Sequence, residues 1–125
     1  MVALDASALI ALVLREPGAD RVSAKLSGSC ISSVNLTEAL ARFLRDGIDI
    51  KEASNAIATL DVEFVPLQPD DAVVVAALIA KTRAAGLSLG DCACLALAKA
   101  RGIQALTADR AWAKLNLGVE VELIR

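Results

Sequence analysis

The chain has 125 residues and a mass of 13.0 kDa, with 56% hydrophobic and 22% charged residues. That composition makes one globular domain with room for one good core, and excludes a disordered chain. A formal charge of -2 and a sequence pI near 5.1 exclude a generally basic, nucleic-acid-coating surface, though not a local basic rim around an acidic site.

In chain order the pattern alternates strand and helix. Residues 2–4, "VAL", read as a short buried strand, and 7–14 as a helix ended by "EPG" at 16–18. Residues 18–27 carry Ala19, Val22 and Leu26 at helical spacing. "SCIS" at 29–32 reads as a strand, after which Ser33 caps a helix to about 46 that stops at Gly47. A helix is expected over 50–60 and a strand over 62–67 that ends near Pro66. Pro69, Asp70 and Asp71 suit the start of a helix that runs to about 85, with Gly86 as its stop. Ser88 or Gly90 opens another to Arg101, stopped by Gly102. A strand over 103–107, a short helix over 109–115 and a last strand over 119–124 complete the chain. The segments 72–80 and 92–98 are apolar nearly all round, which predicts burial on more than one side, by the sheet and by neighbours or a partner chain. Apolar strands alternating with helices predict an α/β fold with a mainly parallel central sheet flanked by helices on both faces.

The three cysteines, Cys30, Cys92 and Cys94, lack the spacing and the histidines of a zinc site, so reduced buried thiols in a cytoplasmic protein are expected. "ALIALVL" and "AVVVAALIA" are too short to span a bilayer, and the former lacks the basic lead of an export signal, so no membrane association is expected.

Asp5 stands in an otherwise apolar opening run, where a carboxylate is costly unless it turns the chain, caps a helix or binds a ligand. It follows the first strand, Glu38 lies early in the helix after the second, Asp91 opens a helix and Asp109 follows the strand that ends at Thr107. Singly, each has an ordinary role: Asp5, Asp91 and Asp109 as helix-start acids, Glu38 as the partner of Arg42 one turn on. Together they are harder to dismiss, because the strand ends of an open α/β sheet share one edge, where ligands bind at a switch in strand order. Carboxylates gathered there cannot all stay ionised without a cation. An oxygen-only donor set suits Mg2+ or Mn2+, and such ions activate water and polarise phosphodiesters.

The segments "ALDASALIAL", "SSVNLTEAL", "LSLGDCACLALAKARG" and "ALTADRAW", in this order, resemble the PIN domain, above all its small bacterial members, the VapC toxins of toxin-antitoxin pairs. The resemblance spans essentially the whole chain as a single domain, 1–125. It implies that Asp5, Glu38, Asp91 and Asp109 bind Mg2+ or Mn2+ for endonucleolytic cleavage of RNA that leaves a 5′-phosphate. It implies that the hydroxyls of Ser7 and Thr107 support the site, and that Asn35 fills a polar position of the second motif. It further implies a homodimer and a cognate antitoxin protein. Arg42, Arg45, Arg110 and Lys114 are candidate contacts to the RNA backbone.

Other classes fit less well. A receiver-like signalling domain needs an acidic pair after the first strand, where "LDAS" offers one acid, and a lysine after a late strand. A haloacid-dehalogenase-like phosphatase needs a second acid at residue 7, which is Ser7. A catalytically silent PIN-like module that only binds RNA or protein is the remaining alternative, and such modules usually lack one or more of the acids.

Overall fold

The computed structural model describes residues 1–125. Five strands form one sheet in the order β3-β2-β1-β4-β5, every neighbouring pair parallel. The strands are β1 (Val2–Leu4), β2 (Ser29–Ser32), β3 (Val62–Val65), β4 (Gln104–Thr107) and β5 (Val121–Leu123). The helices are α1 (Ala6–Leu14), α2 (Ala19–Ala24), α3 (Ser33–Arg45), α4 (Ile50–Ala58), α5 (Pro69–Lys81) and α6 (Leu89–Arg101), with 3-10 turns at Arg83–Ala85 and Arg110–Lys114. The mainly parallel α/β sheet expected from the sequence is therefore present, and every sheet contact is parallel. No helix is long and apolar enough to cross a membrane.

Period-2 alternation in the strands divides the core between the two faces of the sheet. Val2, Leu4, Ile31 and Leu106 point to one side, where they pack with Leu9 of α1, Phe43 of α3 and Ile57 of α4. Ala3, Cys30 and Ala105 point to the other, with Cys94, Leu95 and Ala98 of α6. Register places Ala3 beside both Cys30 and Ala105, so the second face carries a row of small side chains. That row lets α6 lie close across the middle of the sheet, and it accounts for the buried free thiols as small apolar fillers.

Several boundaries differ from the sequence reading for identifiable reasons. Ser32, not Ser33, caps α3 by accepting from the Val34 amide at 3.1 Å, while Ser33 Oγ accepts from the Leu67 amide. The helix expected to reach 85 stops at Lys81, because Thr82 turns its hydroxyl back onto the Leu78 carbonyl and the chain tightens into a 3-10 turn. Ser88 opens α6, in a reciprocal capping box with Asp91. The second helix and the third and fifth strands are shorter than expected. Of the two segments expected to be buried on more than one side, α6 is. In α5 only Val75 is buried, and Val73 and Val74 are 70% and 54% exposed, because α5 packs on α6 and its other side has no neighbour within the chain.

Gly18 starts α2 with φ +98°, and a Cβ there would stand 2.6 Å from the Ile124 carbonyl oxygen. Gly18→Ala is therefore expected to cost about 1–3 kcal/mol, from left-handed backbone strain and from the displaced segment after β5. Chemical denaturation checks this; a variant as stable as the parent would show that the turn and that segment are not rigidly packed.

Candidate active site

Asp5 leaves β1 at the carboxyl edge of the sheet and Asp109 leaves β4 at the same edge. The strand order reverses between these two strands, so both carboxylates flank the switch point. Glu38 reaches the same edge from the second turn of α3, and Asp91 from the first turn of α6. A cleft of about 270 Å³ there is lined by Asp5, Glu38, Asp91 and Asp109, and by Ser7 and Asn35. The acids picked from sequence are thus brought together. An apolar groove between α5 and α6 lies elsewhere and contains none of them.

Each of the three aspartates also fills its ordinary capping role. Asp5 caps α1, its Oδ1 accepting from the Ala8 amide at 2.8 Å and from Ser7 Oγ at 2.6 Å. Asp91 Oδ2 accepts from the Ser88 amide at 2.9 Å, and Asp109 Oδ1 from the Ala111 amide at 3.0 Å. Capping and site-building are the same act here, since Asp5 and Asp109 are fixed in strand-to-helix turns and Asp91 at the start of α6. A carboxylate has about four lone-pair positions, so the single cap bonds of Asp91 and Asp109 leave most of their capacity facing outward.

Asp5 is only 6% exposed and is held most firmly. Its Oδ2 accepts from Thr107 Oγ1 at 2.5 Å; Thr107 in turn accepts from the Asp109 amide at 3.0 Å. Ser7 Oγ, while donating to Asp5, accepts from the Ala108 amide at 2.8 Å. Two hydroxyls therefore stitch the end of β1 to the end of β4. Burial pushes the Asp5 carboxyl above the ordinary aspartate value; the bonds from Ser7, Thr107 and Ala8 oppose the rise, and the Asp91 charge adds to it.

Asn35 and Glu38 lie one turn apart on the same face of α3. Asn35, 1% exposed, donates from Nδ2 to the Gly90 carbonyl at 2.9 Å and so ties α3 to the start of α6. Its Oδ1 is buried with no partner. The Glu38 carboxyl lies against Gly90: a Cβ on that residue would stand 1.4 Å from Glu38 Oε1. Glu38 as a residue is open to solvent, yet its carboxyl is shielded there. That shielding raises it above the usual glutamate value, followed by repulsion from Asp91 and Asp5.

The donors suit a hard divalent cation in kind. They are carboxylate oxygens and one orphaned amide oxygen, with no histidine in the chain. As the side chains stand, no three acids converge tightly enough on one point to enclose an ion. Of the arginines and lysine expected to meet substrate, Arg42 lines the cleft, whereas Arg45, Arg110 and Lys114 are not among its lining residues. Two lining residues, Glu16 and Arg125, escaped the sequence reading. Glu16 was hidden in a helix-ending "EPG" and Arg125 follows the last strand, so no local pattern marks either.

An α/β domain with an acidic cleft at the switch point of a parallel sheet is the class that this fold and site define. The chain belongs to the PIN domain family, whose sequence profile matches residues 2–117. No curated protein matches the chain in sequence. A toxin-antitoxin complex from Klebsiella pneumoniae is similar in structure, with TM-score 0.78 and 19% identity, over 100% of this chain and 98% of that one. DNA-bound VapBC from Salmonella typhimurium gives TM-score 0.77 and 18% identity, covering 99% and 98%. Mycobacterium tuberculosis VapC20, a sarcin-ricin loop cleaving toxin, gives 0.75 and 19%, covering 96% and 99%. At these identities the likeness is one of fold.

The Asp5 shift has a stability consequence. A carboxyl raised in the folded state favours folding fully below its unfolded value of 3.8, and that contribution is lost as pH rises through the folded value. In chelator, ionisation of Asp5 therefore carries a burial cost that its three hydrogen bonds offset only in part. Asp5→Asn, which keeps an acceptor for Ala8, is expected to melt higher than wild type at pH 7, with the gap closing in acid. Melting curves across pH check this; a variant less stable than wild type at pH 7 would contradict the burial cost.

Proposed function

We propose that the chain is a metal-dependent endoribonuclease, the toxin of a type II toxin-antitoxin pair, and that it hydrolyses RNA phosphodiester bonds to leave a 5′-phosphate. The observation that carries the reading is the convergence of Asp5, Glu38, Asp91 and Asp109 on one cleft from four separate parts of the chain. Membership of the PIN family and a fold shared with VapC proteins support it.

In this reading Asp5, Asp91 and Asp109 hold one or two Mg2+ or Mn2+ ions, with Glu38 as a further ligand or as the group that orients one. When bound, the ion supplies activation of water and neutralises charge on the phosphoryl group. Ser7 and Thr107 favour the ionised form of Asp5 against its burial and aim the carboxylate, through the hydrogen bonds they donate to it. Glu38 is the acid that accepts no hydrogen bond, so its carboxylate oxygens are free toward the cleft to bind or orient a ligand. Asn35 fixes the distance between α3 and α6, and with it the distance between Glu38 and Asp91.

The proposal extends to an RNA substrate, a cognate antitoxin, a homodimer and a cytoplasmic site of action. The uncovered Val73 and Val74 of α5 are in keeping with a protein partner. A catalytically silent module is the less favoured reading, since none of the four acids is lost or turned away from the cleft.

Purified protein incubated with total bacterial RNA and Mn2+ or Mg2+ is expected to produce a few discrete new 5′-phosphate ends. Chelator and Asp5→Asn should each abolish them, a loss of at least about 100-fold. Ends that persist in folded Asp5→Asn would overturn the assignment of Asp5, and folded wild type that yields none from any RNA pool favours the binding-only module.

A further inference from the structure

We propose that Arg42 and Arg125, joined through Glu16 at the mouth of the acidic cleft, form a subsite for a backbone phosphate of the RNA that flanks the one being cleaved. The inference rests on the ribonuclease reading and adds two residues to it, Glu16 and Arg125. These arginines are the only cationic residues lining the cleft. The two oxygens of Glu16 face one each: Oε2 lies 3.7 Å from Arg42 Nη2, and Oε1 lies 3.5 Å from Arg125 Nη1. Each guanidinium has a second tether, Arg42 Nε to Asp46 Oδ2 at 2.8 Å and Arg125 Nη1 to the Pro17 carbonyl at 2.9 Å.

The backbone is built to bring these groups together. Arg15 ends α1 with φ 55°, the one non-glycine residue with positive φ, and this turn swings Glu16 to the cleft. Gly18 then packs so closely on Ile124 that no Cβ fits. The Ile124 amide donates to the Thr107 carbonyl at 3.0 Å, and the Thr107 hydroxyl donates to Asp5. Arg125 is thereby anchored to the same strand end that aims the buried carboxylate. Glu16 and Asp46 balance the two guanidinium groups in number, yet both arginines remain more than one-third exposed and keep N–H donors free at this end of the cleft. Held guanidinium forks suit phosphate oxygens, and prior orientation lowers the ordering cost of binding. A nuclease centre built of acids repels the rest of a polyanionic strand, so guanidinium donors on one side of the cleft also set the direction in which the strand leaves.

The test uses the full chain in an Asp5→Asn background, which keeps RNA intact. Fluorescence anisotropy measures binding of a single-stranded oligoribonucleotide in Mn2+ from about 50 to about 200 mM salt. Arg42→Gln and Arg125→Gln are each expected to weaken binding and to reduce the slope of log K against log salt by about 0.7. Arg125→Lys should restore most of the slope, and Lys99→Gln, at the far end of α6, should leave it unchanged. Unchanged slopes in both arginine variants, with the parent binding RNA, would overturn the subsite and leave the ribonuclease reading intact. Unchanged slopes for RNA together with lost binding of a polyglutamate peptide would overturn it in favour of an acidic protein ligand. A parent that binds no RNA, from a wild type that cuts none, would remove the ribonuclease reading and the subsite with it.

Discussion

A buried carboxylate at the end of the first strand is the constraint around which this molecule is arranged. Asp5 is almost wholly removed from water and is held by an amide and two hydroxyls. Those bonds offset part of the desolvation cost but not all of it, so its carboxyl remains raised. Asp91 and Glu38 add like charge nearby. Self-repulsion of this kind is a cost that folding alone has no reason to bear, and it is relieved when a cation enters. The proposed cation site accounts for this repulsion, which the capping roles of the three aspartates leave unexplained.

The rest of the fold serves to hold that tension still. A fully parallel sheet puts every strand-to-helix turn with an acid at one edge, and the reversal of order between β1 and β4 opens the crevice between them. Small side chains at Ala3, Cys30 and Ala105 let α6 cross the sheet closely, which delivers Asp91. Asn35 then locks α3 to α6 through the Gly90 carbonyl, and the bare α-carbon of Gly90 leaves room for the Glu38 carboxyl. Packing on the hidden face and chemistry at the edge are set by the same helices.

Much of this was legible in the sequence. The periodic strands and capped helices declared an α/β fold, and the acids at strand ends declared a shared edge. What sequence could not weigh was the choice between capping and ligation for Asp5, Asp91 and Asp109, because the geometry that satisfies one satisfies the other. Boundaries failed where a side chain competes with backbone pairing, as Thr82 does at the end of α5. The apolar length of α5 suggested burial, yet a helix at the outside of two layers covers its neighbour and not itself. Glu16 and Arg125 were invisible because they meet through the packing of Gly18 on Ile124 and the bond of Arg125 to Pro17, which join segments more than 100 residues apart.

The central claim is that four acids form one cation site, and it is tested most directly by Mn2+ titration calorimetry at pH values just above the ordinary carboxylate range. The wild type is expected to bind Mn2+ and to release protons as it does so, because Asp5 and Glu38 are raised and must ionise to accept the ion. Asp91→Asn should weaken binding by at least about tenfold while the protein stays folded. A folded wild type that binds no Mn2+, or one whose affinity is unchanged in Asp91→Asn, would contradict the account.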